Sequence, residues 1–270
     1  MLEIFEFDFM RRAMLVGLMV AIVAPTIGLF FVVRRYSAMA DTLAHVSFAG
    51  VAASLFAGFA AIPTALVFSI CSVLGIEHLR EKKILPPDTI LSLFLFGSLA
   101  LGVVLLGLSH GKNVNIINYL FGNIVTVTQT DLASIFLLGI ITLVLTKILW
   151  RQLFAVSIDE DIAEAVGLPV KKLNRLLAVL GASTIAISMS VVGVLLIGAL
   201  MVIPTLAAMQ FRVGFQQTWK ISVIISVLSV LLGLISSFYL NLASGGTIVL
   251  FTVGFFLFAT FIPSPTNASA

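Results

Sequence analysis

An acidic residue and a histidine stand four positions apart in an apolar part of the sequence, Asp41-Thr42-Leu43-Ala44-His45. On a helix this spacing places both side chains on one face. A carboxylate oxygen beside an imidazole nitrogen makes a half-site suited to a first-row divalent cation. A two-fold dimer would supply two of each group, the four ligands of tetrahedral zinc. The alternative is that Asp41 caps a helix and His45 forms a hydrogen bond inside the protein.

A second pattern predicts a short helix over 158–166. Ser157 and Glu160 fit a capping box, in which each side chain bonds the other's backbone N–H. Gly167 can end the helix, and Pro169 prevents it from resuming. A helix of about nine residues is far too short to cross a membrane.

The predicted helix has one apolar stripe, formed by every fourth residue, and acids on its other faces: Ile158, Ile162 and Val166 against Asp159, Glu160, Asp161 and Glu164. Helices that lie on a membrane surface are usually rich in Lys and Arg, whereas this one is acidic. The pattern favours a protein partner for the stripe over a simple packed loop helix.

The composition shows in what solvent these residues must be positioned. Of the 270 residues, 60% are hydrophobic and 10% charged, with a mean hydropathy of +1.20. Soluble domains carry about 25% charged residues, so a soluble enzyme and a nucleic-acid-binding module are excluded despite the net charge of +3. The single cysteine, Cys71, also excludes an internal disulfide and a multi-thiolate metal site, so a metal would be held by oxygen and nitrogen.

The hydropathy pattern predicts an all-α polytopic membrane helical bundle that forms one domain over residues 1–270. An apolar run of about 20 residues is needed for one crossing, and shorter runs are tolerated inside a bundle. Nine runs qualify: 13–33, 39–59, 62–76, 89–108, 132–150, 176–192, 194–210, 221–240 and 247–262. The stretch 176–210 admits either two crossings or a re-entrant pair, with the turn at Gly193 or Gly198.

The distribution of positive charge predicts the orientation of the bundle. Twelve Lys and Arg residues fall in one set of predicted connections and three in the other. Cytoplasmic loops carry the excess of Lys and Arg, so we expect the N-terminus outside and the C-terminus in the cytoplasm. This arrangement requires an odd number of crossings, which nine satisfies.

Several segments, in this order and spacing, resemble the integral-membrane permeases of bacterial ATP-binding-cassette importers for zinc, manganese and iron. The similarity extends over nearly the whole chain and is carried by residues 32–37, 41–50, 119–123, 163–168 and 200–204. Manganese members read Asp-Ala-Ile-Ser-His at the intramembrane pair, followed by a proline. Asp41-Thr42-Leu43-Ala44-His45, with no proline over 48–50, is similar to the zinc members.

The resemblance implies a multi-pass protein of the bacterial inner or plasma membrane, with the type II architecture of vitamin B12 permeases. It implies a homodimer around a central pathway, two cytoplasmic ATP-binding subunits and an extracytoplasmic metal-binding protein. Asp41 and His45 would be the pathway ligands of a transported zinc or manganese ion, with no permanently bound cofactor. The ATPase-coupling residues would be Ile158, Asp159, Glu160, Ile162, Ala163, Val166 and Gly167.

Two other functions need an intramembrane Asp and His. A proton-coupled secondary metal carrier would be expected to have further acidic residues in its spans, and the predicted spans contain none besides Asp41. An intramembrane metallohydrolase needs a fuller ligand set and a catalytic acid or base, which a lone Asp–His pair does not supply. The chain also lacks the Gly-x-x-x-x-Gly-Lys-Ser/Thr phosphate loop, so we expect ATP hydrolysis in a separate subunit.

Overall fold

The computed structural model describes residues 7–109, 120–122 and 129–261. Within these residues the chain forms helices joined by short connections, which confirms the predicted all-α class. The resemblance segment 119–123 lies partly outside the described residues. The helices are α1 (Asp8–Val33), α2 (Ser37–Ala57), α3 (Ala61–Glu81), α4 (Pro87–Leu108), α5 (Gln129–Ile148), α6 (Trp150–Ile158), α7 (Glu160–Ala165), α8 (Val170–Val192), α9 (Val194–Met209), α10 (Phe215–Leu240) and α11 (Ser244–Phe261).

Six helices in the described part of the chain are individually long and apolar enough to cross a membrane: α1, α2, α3, α4, α10 and α11. The apolar part of α5 meets α6 at a bend of 72°, so this pair is either one broken span or a re-entrant loop. Each predicted apolar run corresponds to one of the helices α1–α5 and α8–α11. The number of nine crossings stays a prediction.

The first helix lies at the centre of the bundle. In its most apolar 18-residue window 83% of the residues are buried, compared with 17% in α4. Its backbone touches that of α9, because a Cβ atom on Gly28 would overlap the carbonyl oxygen of Met201. Small residues allow such close approach between membrane helices. The contact holds α9 against α1, at the centre of the bundle. Helix α2 packs against both α1 and α9.

Gly193, and not Gly198, separates the two helices in the stretch 176–210. Gly193 lies between α8 and α9 with a φ of +87°, a conformation that residues with a Cβ rarely adopt. A Cβ there would also come within 2.5 Å of the backbone at Leu120 and Gly122. The prediction that Gly198 could make the turn is wrong, since that residue lies inside α9.

The predicted helix over 158–166 is divided into two helices, α6 and α7, by the extended backbone of Asp159. The proposed capping box is wrong. The chain is already helical before Ser157, whose hydroxyl donates a 2.6 Å hydrogen bond to the Leu153 carbonyl within α6. Asp159 caps α7 instead, and its carboxylate accepts a 2.9 Å hydrogen bond from the Ile162 N–H.

The predicted end of this segment at Gly167 is confirmed. Gly167 is left-handed, with a φ of +82°. Its N–H donates to the Glu164 carbonyl at 2.9 Å, and the Leu168 N–H donates to the Ala163 carbonyl at 3.1 Å. These two bonds form a Schellman motif, which ends α7 before Pro169 opens α8.

Candidate functional site

Asp41 and His45 lie one turn apart in α2, as their spacing predicts, and are close enough to interact electrostatically. Asp41 is exposed and His45 half-buried, whereas the intervening Thr42, Leu43 and Ala44 are buried. A charged group facing hydrocarbon costs several kcal/mol. The exposed side of this helix therefore requires a partner or a water-filled path.

The alternative roles considered for the pair find no support in the geometry. Tyr36 is the N-cap of α2, so Asp41 does not cap this helix. Among the described residues, the buried Nδ1 atom of His45 has no hydrogen-bond partner. A hydrogen bond from this nitrogen therefore does not hold the ring in place, unlike in the alternative role.

Asp41 is positioned by α9. A Cβ atom built on Gly198 would lie less than 3.0 Å from the Asp41 carboxylate, so the missing side chain provides the space that the carboxylate occupies. Gly198 is the fifth residue of the 16-residue α9. It is separated from the Met209 end of that helix by about 16 Å. Asp41 is thus only one turn into α2, yet it lies beside the interior of α9.

The described residues of one chain do not complete a metal site. They contain no group of three or more His, Cys, Asp or Glu side chains able to hold a metal ion. A carboxylate and an imidazole can supply half of a four-ligand set. If this pair binds a metal ion, further ligands must come from outside the described residues of one chain.

The three apolar residues of the predicted stripe are exposed, but they do not form one face of a single helix, because the extended backbone of Asp159 interrupts it. Ile158, Ile162 and Val166 expose 63%, 65% and 70% of their surface. Ala163 points the other way and is 1% exposed. Because apolar side chains of this size gain from burial, the three form a surface suited to a protein contact, here called the coupling stripe.

A polar cluster links the base of the coupling stripe to the bundle. The Glu160 Oε1 atom accepts hydrogen bonds from Arg80 at 2.7 Å and from Asn174 at 3.1 Å, and it lies 3.5 Å from Arg34. These four residues belong to α7, α3, α8 and the end of α1. We call them the Glu160 cluster.

Burial makes the charges of the Glu160 cluster interdependent. The side chain of Arg34 is 6% exposed and that of Arg80 is 18% exposed. Arg34 also donates to Asn174 Oδ1 at 2.5 Å and to the Val156 carbonyl at 3.3 Å. Burial lowers the pKa of Arg34 from its ordinary value, and the negative charge of Glu160 opposes that shift. The carboxylate is thus a counter-charge for guanidinium groups that water hardly reaches.

Arg80 connects the Glu160 cluster to the helix of the candidate metal ligands. Its guanidinium carbon lies 4.6 Å from the centre of the Tyr36 ring, a cation–π contact. Tyr36 caps α2, five residues before Asp41. The sequence does not predict this connection. The shared partner Glu160 lies 126 residues from Arg34 and 80 from Arg80, and no local pattern marks such pairs; the local pair of Arg80 with Glu77 does not reveal them.

Comparison with known proteins bears directly on these features. Residues 6–263 match the model of the ABC 3 transport family. The chain belongs to the ABC 3 transport family. ABC 3 members similar to it include the high-affinity zinc uptake system membrane protein ZnuB of Haemophilus influenzae. It is 30% identical over 94% of this chain and 98% of that protein.

Relatives named for manganese are similarly close. The manganese import system permease protein ScaB of Streptococcus parasanguinis is 31% identical over 95% of this chain and 91% of its own length. Among solved structures, PsaBC from Streptococcus pneumoniae in complex with Fab superposes with a TM-score of 0.86 at 30% identity, covering 99% of this chain and 95% of that one. The chain is therefore a multi-pass membrane permease with the fold of ABC transporter permeases.

Proposed function

We propose that this ABC 3 permease carries a divalent metal ion across the membrane into the cytoplasm and that zinc is its principal substrate. Relatives named as zinc and manganese permeases support a metal substrate. The observation that carries the proposal is the exposed Asp41 one turn from the half-buried His45 on the same face of α2. The residues between them, Thr42-Leu43-Ala44, favour zinc over manganese because they are similar to those of the zinc members.

The ligand pair implies a homodimer. Two chains related by a two-fold axis would bring two carboxylates and two imidazoles together, which matches the preferred coordination of zinc. The two carboxylates would offset the charge of the dication at membrane depth. Such a site would hold the ion while the pathway is closed on both sides. The ion would leave when the pathway opens toward the cytoplasm.

The coupling stripe is the proposed contact with cytoplasmic ATP-binding subunits, one for each permease copy. Ile158, Ile162 and Val166 are exposed, and the distribution of positive charge predicts that their segment lies on the cytoplasmic side. In this orientation the N-terminus lies outside and the C-terminus in the cytoplasm. An extracytoplasmic metal-binding protein would deliver the ion at the opposite end.

The Glu160 cluster supports a route by which ATP-driven movement of α7 reaches the ligands. Displacing Glu160 would disturb Arg80, and Arg80 stacks on the residue that caps α2. A shift of α2 relative to α9 would change the space in which Asp41 lies. Alternating access would then be a switch between two packing arrangements of α2 against its neighbours, one open to the outside and one open to the cytoplasm.

The test is uptake of radioactive zinc into vesicles that contain the permease and its ATPase, with manganese as competitor. We expect ATP-dependent uptake that Asp41→Asn abolishes and that Asp88→Asn, at an exposed position in α4, leaves unchanged. Full uptake by Asp41→Asn would refute the ligand role. Uptake driven by a proton gradient without ATP would instead identify a secondary carrier.

A further inference from the structure

A cavity of about 700 Å³ opens between α1, α5, α6 and α10, away from Asp41 and His45. Its volume lies within the range of small-molecule sites, roughly 300–1,000 Å³. The wall is partly apolar and partly polar, and includes Ile22, Leu143, Thr146, Lys147, Arg151 and Trp219. We propose that this cavity binds an anionic phospholipid.

The charges on the wall select the headgroup. Lys147 and Arg151 are both exposed and stand four positions apart, and none of the described residues on this wall is acidic. Neither cation forms an ion pair with another residue in the described ranges. Basic pockets between membrane helices bind phosphate headgroups. An anion is therefore the complementary ligand.

The apolar part of the wall selects a lipid over a free anion. Ile22, Leu143 and Ile148 line the cavity together with the two cations, and Ile148, at the end of α5, is 71% exposed. These side chains form an apolar surface inside the cavity. An acyl chain can lie on that surface while its phosphate remains beside Lys147. Inorganic phosphate would gain nothing from it.

Two tryptophans place the cavity at the level where headgroups lie. The rings of Trp150 and Trp219 meet edge to face, with centroids 5.5 Å apart, and Trp219 Nε1 donates a 3.0 Å hydrogen bond to Thr26. Tryptophan is enriched at the membrane–water interface. Thr146 adds a polar group to the wall: its hydroxyl is buried and has no hydrogen-bond partner among the described residues.

The test uses the full permease purified with its ATPase from vesicles of equal phosphatidylglycerol and phosphatidylcholine. Native mass spectrometry measures the lipid retained. We expect phosphatidylglycerol to be retained in preference to phosphatidylcholine. Removing both cations, in Lys147→Gln/Arg151→Gln, should weaken its binding roughly 25-fold, or about fivefold for each cation. The matched control Lys82→Gln/Lys83→Gln removes two exposed cations outside the cavity and should leave retention unchanged.

A second variant separates the cavity from a general effect of surface charge. Leu143→Trp keeps both cations and fills part of the cavity, so it should also reduce lipid retention. Equal loss of lipid from both double variants, or full retention by Leu143→Trp, would overturn the proposal. Lipid bound to the permease alone but absent from the complex with its ATPase would show that a protein covers the cavity, and this too would overturn it. Displacement of the lipid by millimolar inorganic phosphate would show that the cavity is a simple anion site, which would likewise overturn the proposal.

Discussion

Gly198 of α9 faces the carboxylate of Asp41 on α2 so closely that a single added methyl group would occupy the carboxylate's position. The candidate ligand is therefore placed by a residue without a side chain, 157 positions away in the sequence. A positioning residue of this kind contributes no charge and no hydrogen bond. Its effect is on where Asp41 lies.

The first prediction concerns this contact. Gly198→Ala should displace the Asp41 carboxylate and lower metal uptake by at least about fivefold, since overpacking a tight contact costs roughly 1–3 kcal/mol. Uptake and the apparent affinity for zinc are measured in the same vesicles. A weakened affinity with normal ATPase assembly would indicate a displaced ligand, whereas loss of assembly would indicate a general defect.

The control for this variant is Gly254→Ala in α11, where a Cβ would meet nothing within 4 Å. It should transport normally. Normal zinc affinity in Gly198→Ala would show that Asp41 does not depend on this contact.

The second prediction concerns the counter-charge of the Glu160 cluster. Glu160→Gln should leave Arg34 without a carboxylate partner among the described residues, whereas Arg80 keeps its 3.2 Å ion pair with Glu77, and should thereby loosen α7 from the bundle. Because Glu160 is 40% exposed, water screens part of this loss. We expect ATP hydrolysis to continue while uptake per ATP falls severalfold.

The matched variant for Glu160 is Glu164→Gln, which removes the same charge from an exposed position of the same helix. Uptake and hydrolysis are measured together for both variants. If the two gave the same ratio of uptake to hydrolysis, the cluster would have no specific part in coupling.

The third prediction concerns the coupling stripe. Ile162→Asp places a charge on a side chain that is 65% exposed, so the permease should still fold. The ATPase should no longer copurify, because a charge buried in an apolar contact without a partner is strongly unfavourable. Ile84→Asp changes an equally exposed residue, 62%, between α3 and α4 and should retain the ATPase. Copurification of ATPase with Ile162→Asp would refute the docking surface.

The fourth prediction concerns the left-handed glycine after α7. Gly167→Ala has open space for its methyl group but must adopt a φ of +82°, which costs about 1 kcal/mol. We expect α7 to fray and ATPase binding to weaken up to about fivefold. Gly214→Ala also has open space, and its φ of −64° is an ordinary value, so binding should be normal. Titration of the ATPase onto the purified permease measures both, and equal affinities would contradict the prediction.

The sequence by itself determined the features that depend on nearby residues. The apolar runs were long enough to predict the helices, because each crossing must satisfy its own backbone hydrogen bonds. The four-residue spacing placed Asp41 and His45 on one face, and Gly167 was correctly predicted to end α7. The prediction that Ile158, Ile162 and Val166 are available to a partner agrees with their exposure, although the single helix face assumed for them is interrupted at Asp159.

Tertiary structure decided the features that depend on distant partners. Whether Ser157 or Asp159 capped α7 depended on α6 already extending through Ser157. Whether Gly193 or Gly198 made the turn depended on which one met the backbone at Leu120 and which met Asp41. The Glu160 cluster likewise required α1, α3 and α8 to pack around α7. Local patterns cannot contain this information, since close packing is a property of surfaces that meet only in the folded chain.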